Sequence, residues 1–509
     1  MKKLAVTAAI FAATLLPQVD ASAQSQWDLN EDQKKEVQEI LKDAKGAESP
    51  IVITLEQALM IALSENVSVK VADMEIQRTE YAKKGSYAAL FPQIDATGAY
   101  QRTIKKQVMY MDFDMSSLMG GAAAGGAAGG ATDGTGTEGG DVTGGTSTES
   151  TQSSSSGGGI EMGRWNTWSA GVSAAMPLVN LQLWKGLKIS GMDVELAVEK
   201  ARSSRLDMVS QVKNAYFSVL LAKEAFDVYK QVYENAFQNC EIIKQKVDAK
   251  KASEVEYLRA KTTLKNAIPN VYNAESSVIL ALWQLKAILG VDLDMNLDVK
   301  GGLDNFTSQM NYDSVPKTGD ISLDMNTTMK QLQLQTMMLA ETIKLQKYAN
   351  IPSLAVAFSF TLNAMTNDFN FQEYRWTPYS YVGLSLNIPI FSGGKRYQQI
   401  RQAKNQYAQV QCQVQNTERQ LMIAISQQIN TMQTNMRSYE AATEAMTTAQ
   451  KAYDIMQKSL EVGRSTLIEV NDAQLALTQA QLASYQAVYN FLLAKTQLEQ
   501  IIGQDFTNK

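Results

Sequence analysis

Residues Leu354–Asn363 read Leu-Ala-Val-Ala-Phe-Ser-Phe-Thr-Leu-Asn, so large apolar side chains alternate strictly with small or polar ones. Because successive side chains of a β-strand point to opposite faces of a sheet, this alternation predicts a strand with one apolar face. A strand of about ten residues with such a face is typical of a membrane β-barrel. A half-buried strand of a soluble sandwich shows the same period, so alternation alone leaves that alternative open.

Three other segments alternate in the same way and predict two hairpins, residues 92–178 and residues 352–390. Their apolar faces take every second residue of Ile94–Tyr100, Trp168–Met176 and Val382–Ile388. Aromatic side chains lie near the loop ends, where a membrane barrel carries its aromatic girdle; they are Trp165, Trp168, Tyr374, Trp376 and Tyr379. The loop of the first hairpin, residues 116–160, is rich in Gly and Ser, and we expect it on the extracellular side because it cannot bury enough apolar surface to order itself.

Long helical stretches follow each hairpin and form two predicted helical pairs, residues 179–290 and residues 396–502. The first helix of each pair contains no Pro, and about seventy residues at about 1.5 Å each span on the order of 100 Å. Narrow apolar stripes among Gln and Asn side chains are typical of a coiled-coil seam. Pro269 lies in the first returning helix, and we expect it to kink that helix.

The chain repeats this order of elements. Gly290 and Gly503 stand in the similar sequences Leu-Gly-Val-Asp-Leu and Ile-Gly-Gln-Asp-Phe, 213 residues apart (503 − 290). A period of this size is too long for a short solenoid repeat, so each copy must be a full structural unit. We therefore predict a first repeat at residues 51–290 and a second at residues 321–509, joined by a linker at residues 291–320 that contains short strands.

The N-terminal part of the chain is typical of an exported protein. Residues 1–23 combine two Lys, an apolar run and a small-residue cleavage site, which predicts a signal peptide. Residues 24–50 form a charged extension, interpreted as a short helix or a loose tail. The first repeat then opens with a helix predicted from Thr54 to Leu90, for which Thr54-Leu55-Glu56-Gln57 supplies a capping box.

The composition argues against catalysis. The chain contains no His and two Cys, Cys240 and Cys412, so it lacks the commonest general base and the commonest metal ligand. It also lacks a Ser–His pair, a Cys/His cluster and a phosphate-binding glycine loop. We predict no enzymatic activity, no cofactor and no metal site. The formal net charge of −5, which removal of Lys2 and Lys3 makes −7, argues against nucleic acid as a partner.

The segment Val462–Ala473 reads Val-Gly-Arg-Ser-Thr-Leu-Ile-Glu-Val-Asn-Asp-Ala. With the signal peptide, the duplicated order of helix, strands and helical pair, and the Gly that ends each copy, it resembles the TolC-like outer membrane factors from about Thr54 to Gly503. The resemblance implies an α+β membrane protein with a long antiparallel α-helical coiled-coil barrel. It also implies four β-strands per protomer in a trimeric, twelve-stranded transmembrane β-barrel.

The same resemblance implies a set of partners. They are two further copies of the chain in a homotrimer, outer-membrane lipid, a periplasmic adaptor (membrane fusion) protein and an inner-membrane transporter. The expected localisation is the bacterial outer membrane with an extension into the periplasm.

Two acids of the second turn are candidates for a periplasmic gate. Glu469 and Asp472 are three residues apart on a predicted helix and therefore share a face. By resemblance they match the acidic constriction at the tunnel entrance. A three-fold axis would gather six carboxylates into a narrow ring, and rings of acids select cations. Solvated acids on an exposed helix face are the alternative, and the first copy places Glu256 and Arg259 at the equivalent positions.

The two turns between the long helices are, by resemblance, the tips that contact the adaptor; ordinary helix connections are the alternative. The candidate residues are Lys250, Lys251, Ser253, Gly463, Arg464 and Ser465. Lys250 stands where the second turn has Gly463, and the family favours a small residue there, so the geometry of the first turn is in question. Leu460 stands where some members place a Tyr that ties helices together near the gate, so that tether is not carried over.

The sequence as a whole favours an outer-membrane channel. We expect the exit duct of a tripartite efflux or type I secretion system, passively conducting substrates that an inner-membrane pump and a periplasmic adaptor deliver. The alternative is an exported coiled-coil structural or adhesin-like protein whose hairpins pack in a soluble sandwich. The lumen of a duct is broad and polar, so the sequence does not indicate the substrate.

Overall fold

The computed structural model describes residues 31–44, 50–109, 160–310, 315–316, 321–370 and 373–503. The predicted signal peptide, residues 1–23, and nearly all of the Gly/Ser-rich loop, residues 116–160, lie outside these ranges. The described residues fall into two compact units. The helical unit takes those within 1–88, 181–351 and 389–509, and the strand unit those within 89–180 and 352–388.

Eight α-helices, eight strands and one 3₁₀ helix make up the described part of the chain. In chain order they are α1 (Glu31–Ala44), β1 (Ile51–Ile53), α2 (Leu55–Glu65), α3 (Val67–Ala88), β2 (Gln93–Arg102), β3 (Gln107–Met109), β4 (Ile160–Met162), β5 (Asn166–Val179), α4 (Leu181–Asp248), α5 (Glu254–Leu289), β6 (Leu297–Val299), the 3₁₀ helix (Leu303–Gln309), α6 (Thr327–Tyr348), β7 (Ser353–Thr366), β8 (Thr377–Asn387), α7 (Lys395–Glu461) and α8 (Leu467–Ile502).

The strand unit contains a four-stranded antiparallel sheet in the order β2-β5-β7-β8. Its register places Ile94 opposite Ala174, Ala174 opposite Phe358, and Phe358 opposite Val382. Directly opposed residues of antiparallel strands point to the same face, so the four predicted apolar faces form one continuous face of the sheet. The predicted alternation is confirmed. β3 and β4 add a short antiparallel ribbon that the sequence did not predict.

The apolar face of this sheet is open to solvent in the single chain, where Ile94 is 70% exposed and Val382 is 73% exposed. Soluble monomers rarely expose a contiguous apolar patch of this kind. Within the described residues, the edge strands β2 and β8 have a neighbouring strand on one side only. Their outer backbone N–H and C=O groups are therefore available for pairing with another chain.

The helical unit contains both predicted helical pairs, with bounds within two residues of the prediction. The helices α4 and α7 have 68 and 67 residues and span roughly 100 Å each, while α5 and α8 have 36 residues each. The helix α5 continues through Pro269, and the kink expected there stays a prediction. No helix in the described part of the chain is apolar over a stretch long enough to cross a membrane.

The single helix predicted from Thr54 to Leu90 is wrong, because it is two helices, α2 and α3, separated at Asn66. The backbone of Asn66 is extended, with φ −64° and ψ 131°. Its side chain accepts a hydrogen bond from the Ser68 N–H at 2.7 Å and donates one to the Ile288 carbonyl at 2.7 Å. This side chain competes with the helix for backbone partners and ends the first helix there. The capping box predicted at Thr54 is confirmed.

The second repeat contains the same arrangement 260 residues later, at Asn326 (326 − 66). The Asn326 side chain caps α6 and donates a hydrogen bond to the Ile501 carbonyl. In both copies the accepting carbonyl lies two residues before a Gly in the left-handed conformation, with φ 76° at Gly290 and φ 77° at Gly503. We call Asn66 with Gly290 and Asn326 with Gly503 the two Asn–Gly locks. They show that α3 corresponds to α6. Among the residues that the structure describes before α6, no helix corresponds to α2.

Candidate functional site

Both turns of the helical pairs rest on one buried group of side chains. This turn cluster draws on all four long helices, so it holds the two turns side by side; its members are Cys240, Ile243, Ala260, Tyr453, Leu460, Leu467, Val470 and Leu477. Polar contacts join the copies nearby: Asn235 donates to Gln474 at 2.8 Å, and Asn471 donates to Thr263 at 3.3 Å. Burial raises the pKa of Tyr453 to about 12, so its phenol stays neutral at physiological pH.

The two turns have the same backbone geometry. Lys250 and Gly463 both lie in the left-handed region, at φ 59° and φ 77°. In the first turn the N–H groups of Lys250 and Lys251 bond to carbonyls three and five residues back, at 2.8 and 2.7 Å. The N–H groups of Gly463 and Arg464 do the same at 3.0 and 2.8 Å. This is the Schellman ending of a helix, in which a left-handed residue satisfies the last carbonyls.

Lys250 does not change the backbone geometry of the first turn relative to the second. Lys250 is the one non-Gly residue with positive φ in the described part of the chain, and it adopts the conformation that Gly463 adopts without a Cβ. The left-handed region costs an ordinary L-residue roughly 1–2 kcal/mol. The first turn is therefore built on a strained residue, and the second on a relaxed one.

We expect Lys250→Gly to stabilise the first turn by about 1 kcal/mol, because Gly enters the left-handed region without steric cost. Amide hydrogen exchange at Lys251, whose N–H closes the turn, should slow by roughly fivefold. The reciprocal change Gly463→Lys is the matched control and should speed exchange at Arg464. Faster exchange at Lys251 in the Lys250→Gly protein would mean that the Lys side chain itself holds the turn.

The predicted tip residues do not have equal surroundings. Lys250, Lys251, Gly463 and Arg464 are exposed. The Ser253 hydroxyl caps α5 by accepting a hydrogen bond from a backbone N–H. The hydroxyl of Ser465, the sixth residue of the set, is half-buried and donates to the Met456 carbonyl at 2.9 Å. Four of the six are thus free to meet a partner with their outer surface, whereas the two serines also hold the turns.

The predicted gate acids are both exposed on α8. Glu469 also closes a capping box: its carboxylate accepts the Thr466 N–H at 2.8 Å, and the Thr466 hydroxyl accepts the Glu469 N–H at 3.3 Å. The spacing of Thr466 and Glu469 in the sequence is that of a capping box, a role that was not assigned to this carboxylate from the sequence. Asp472 lies one turn further along. Glu469 therefore has one structural role in the single chain beside any role in a pore.

Leu460 is buried in the turn cluster, and its backbone carbonyl receives the ammonium group of Lys246. This contact joins α4 to α7 at the position where, by resemblance, some members of the family place a Tyr. Sequence reasoning missed Lys246, because a Lys near the end of a helix is ordinarily a solvated side chain. The described residues also contain no group of three or more Cys, Asp or Glu side chains arranged to hold a metal ion.

Comparison with known proteins agrees with this geometry. The family model described as "Outer membrane efflux protein" matches residues 141–291 and 320–504, which together are more than half of the chain. The outer membrane protein TolC of Vibrio cholerae is 20% identical over 339 residues, covering 66% of this chain and 76% of that protein. TolC of Escherichia coli is 20% identical over 354 residues, covering 66% and 70%.

Solved structures show the same fold. The CmeC outer membrane channel of Campylobacter jejuni superposes with a TM-score of 0.65 at 17% identity, over 89% of this chain and 87% of that chain. The fold is thus that of the TolC-like channels, with a helical part and a β part. The chain belongs to the outer membrane efflux protein family and is a transport protein of the bacterial outer membrane that extends into the periplasm, not an enzyme.

Proposed function

We propose that this chain forms the exit duct of a tripartite efflux or type I secretion system, passively conducting substrates that an inner-membrane pump delivers. The observation that carries the proposal is the open sheet of the strand unit. Its apolar face is exposed, and in the described part of the chain each of its two outer strands has a neighbouring strand on one side only. A lipid bilayer would cover the apolar face, and strands of other copies would pair with the edges. A sheet that meets both needs at once is a segment of a membrane barrel.

Three copies satisfy both edges of every sheet. Each protomer would contribute β2, β5, β7 and β8, so a trimer closes a barrel of twelve strands, within the even-numbered range of bacterial outer-membrane barrels. Closure removes every free edge. The two repeats of each chain, each with its long helical pair, would give the periplasmic part of the trimer a quasi-six-fold arrangement of helices.

The outer-membrane fraction provides the test of the duct. The full chain, extracted in detergent without boiling, should migrate as a trimer and shift to the monomer position on heating. The same preparation should give stepwise conductance in a planar bilayer. A chain that stays monomeric and non-conducting after extraction would overturn the proposal.

We propose that Glu469 and Asp472 form an acidic ring at the periplasmic entrance. Their exposure on one helix face beside the turn supports this, since a three-fold axis through the duct would bring six carboxylates together. The charge of such a ring attracts cations and repels anions. The capping bond of Glu469 fixes the height of its carboxylate relative to the turn, which keeps the ring in one plane.

Conductance measurements test the ring through the double variant Glu469→Gln and Asp472→Asn. We expect the cation-over-anion permeability ratio to fall by roughly twofold or more, because six negative charges leave the constriction. Gln retains the oxygen that closes the capping box, so charge is lost without loss of the cap. The matched control, Glu418→Gln with Glu444→Gln, removes two exposed acids of α7 and should leave the ratio nearly unchanged. Equal ratios in the two variants would contradict the ring.

We propose the two turns as the contact site for the periplasmic adaptor, with Lys250, Lys251, Gly463 and Arg464 as the exposed surface. Lys250, Lys251 and Arg464 are exposed and positively charged, which suits an adaptor with acidic or polar tips. Co-purification of an adaptor and an inner-membrane transporter with the affinity-tagged chain tests these partners.

A further inference from the structure

Four helix ends meet at one end of the helical unit. The end of α3 joins the start of α4 through the hydroxyls of Ser86 and Ser190, 3.2 Å apart. The start of α4 joins the end of α6 because the Glu341 carboxylate contacts the ammonium groups of Lys185 and Lys188, at 2.8 and 3.0 Å. Asn350 lies two residues after α6, and its side-chain oxygen accepts a hydrogen bond at 3.2 Å from Arg396 at the start of α7. The chain passes from each of these helix ends to a strand within one to seven intervening residues.

These helix ends are strongly basic. We define the basic collar as residues 81–88, 181–192, 341–348 and 395–406. It contains one carboxylate, Glu341, against ten cationic side chains: Lys83, Lys84, Lys185, Lys188, Lys344, Lys347, Lys395, Arg396, Arg401 and Lys404. The collar therefore has a formal charge of +9 in a chain whose total is −5. Such a concentration of one sign attracts anions from beyond direct contact, over a Debye length of about 10 Å.

Aromatic side chains are interleaved with these cations. Tyr81, Trp184 and Tyr397 are 67%, 58% and 61% exposed. Two of the cations lie over exposed rings: the Lys84 ammonium is 5.5 Å from the Tyr81 ring centroid, and the Arg401 guanidinium is 5.5 Å from that of Tyr397. Exposed aromatic rings beside Lys and Arg are the pattern by which membrane proteins anchor at the bilayer–water interface.

A groove between α3 and α4 brings the two kinds of side chain together. Its volume is about 410 Å³. Its lining comprises the cations Lys83 and Lys188, the carboxylate Glu195, the rings of Tyr87 and Trp184, and Leu187, Gly191 and Met192. Two basic groups beside aromatic and apolar side chains match a lipid headgroup, which presents an anionic phosphate next to glycerol and the first acyl carbons.

We propose that the basic collar binds the anionic headgroups of glycerophospholipids in the membrane leaflet that faces the periplasm. The proposal rests on the function proposed above, because it requires the strands that follow the collar in the chain to cross the membrane. The collar segments are eight to twelve residues long, so their cations lie within roughly 12–18 Å of the helix ends along each axis. All of these cations except Lys188 and Lys404 lie within about 10 Å of their helix end along the axis. A membrane surface at the helix ends would therefore lie within a Debye length of most of the cations.

The aromatic side chains decide between a lipid surface and dissolved anions as the ligand. A purely electrostatic attraction for small anions would need only the cations. Three large rings with most of their surface in water carry a hydrophobic cost that a bilayer interface removes and that an aqueous ion does not. The alternative role for the collar is to attract anionic solutes that pass through the duct, and the test below separates the two roles.

The test uses the full-length protein in detergent micelles with added phosphatidylglycerol or phosphatidylcholine, and native mass spectrometry counts the lipids retained. The collar variant carries Lys84→Gln, Lys347→Gln, Lys395→Gln and Lys404→Gln, all exposed positions outside the contacts of Glu341. The matched control carries Lys230→Gln, Lys244→Gln, Lys265→Gln and Lys451→Gln, four exposed positions elsewhere on the long helices. Both variants lose the same charge.

We expect the wild-type protein and the control to retain phosphatidylglycerol in preference to phosphatidylcholine. In the collar variant this preference should fall by roughly tenfold or more. In the wild type it should also weaken as KCl rises from about 0.05 to 0.5 M. A preference that is the same in the collar variant and the control, or that does not respond to salt in the wild type, overturns the proposal.

Conductance is recorded on the same preparations. A collar variant with altered ion selectivity and an unchanged lipid preference would place the cations in the lumen and overturn the proposal. A wild-type protein that conducts but shows no preference for phosphatidylglycerol would sink the lipid site alone. Absence of conductance in the wild type would instead sink the duct.

Discussion

Replacing Gly503 with Ala is expected to be among the most destabilising single changes in the chain. Gly503 lies in the left-handed region at φ 77°, and a Cβ there would fall well within 3.0 Å of the Met325 carbonyl oxygen. That carbonyl cannot easily withdraw, because the next residue, Asn326, is held to Ile501 by the second Asn–Gly lock. Strain of about 1 kcal/mol and a backbone overlap together predict a loss of roughly 3 kcal/mol or more.

Two further glycines provide graded controls for this prediction. A Cβ at Gly290 would lie 3.0 Å from the Glu65 carbonyl oxygen, so Gly290→Ala should cost less than Gly503→Ala. At Gly463 nothing lies within 4 Å of the added Cβ, and only the strain of about 1 kcal/mol remains. Urea midpoints of the three variants in detergent, together with the trimer fraction on unboiled gels, should follow this order. Equal losses of stability in Gly463→Ala and Gly503→Ala would show that the left-handed backbone alone causes the loss and that the overlap with the Met325 carbonyl does not contribute.

Glu341→Gln should cause the second large loss of stability. Glu341 is 7% exposed, and its carboxylate contacts the ammonium groups of Lys185, Lys188 and Lys344 at 2.8, 3.0 and 3.0 Å. The hydrogen bond from Lys185 leads the interactions that lower the pKa of Glu341 from 4.5 to about 2. Because Lys188 and Lys344 are more than half exposed, water screens their charges, and the shift corresponds to roughly 1–3 kcal/mol of folding free energy. Gln keeps the shape but leaves three ammonium groups close together without a counter-charge.

The same shift gives this contribution a pH dependence. A carboxyl with a lowered pKa stabilises the folded state fully above its unfolded pKa, and the contribution is lost as the pH falls through the folded value. The difference in unfolding free energy between wild type and Glu341→Gln should therefore be largest at pH 7 and shrink steadily from pH 4.5 toward pH 2.

An exposed acid provides the control for Glu341. Glu75 pairs with Arg78 on the surface of α3, at 2.7 Å, with both side chains largely in water. Surface pairs of this kind contribute little, so Glu75→Gln should leave the unfolding transition almost unchanged at every pH. A Glu341→Gln protein whose stability difference from wild type is the same at pH 7 and at pH 3 would contradict the assignment of the loss to the carboxylate charge.

The sequence predicted those parts of the fold whose signal is periodic. The alternation in Leu354–Asn363 specified a strand and its apolar face, because the register of a sheet preserves that face from strand to strand. The long helices were bounded within two residues by their turns. The break at Asn66 was missed because apolar periodicity continues on both sides of it, and the Asn side chain that ends the helix acts through a carbonyl 222 residues away.

The sequence predicted where the candidate site residues lie better than it predicted what they do. The spacing of Glu469 and Asp472 indicated a shared helix face, and the structure places both in solvent. The spacing of Thr466 and Glu469 also predicts the capping bond. A carboxylate at this position can close the cap or line a pore, and the sequence alone does not distinguish the two roles. The basic collar was not found, because its cations come from four segments that meet only after folding.

The left-handed Lys250 separates the shape of a turn from its surface chemistry. In the proposed trimer, six turns of one backbone shape would alternate between a doubly charged surface, with Lys250 and Lys251, and a surface with Gly463 beside Arg464. A partner that recognises only the backbone shape would find six equivalent binding sites, one at each turn. A partner that recognises the charge of Lys250 and Lys251 would find three. The side chain carried at this one turn position thus decides whether a docking ring meets six equal sites or three.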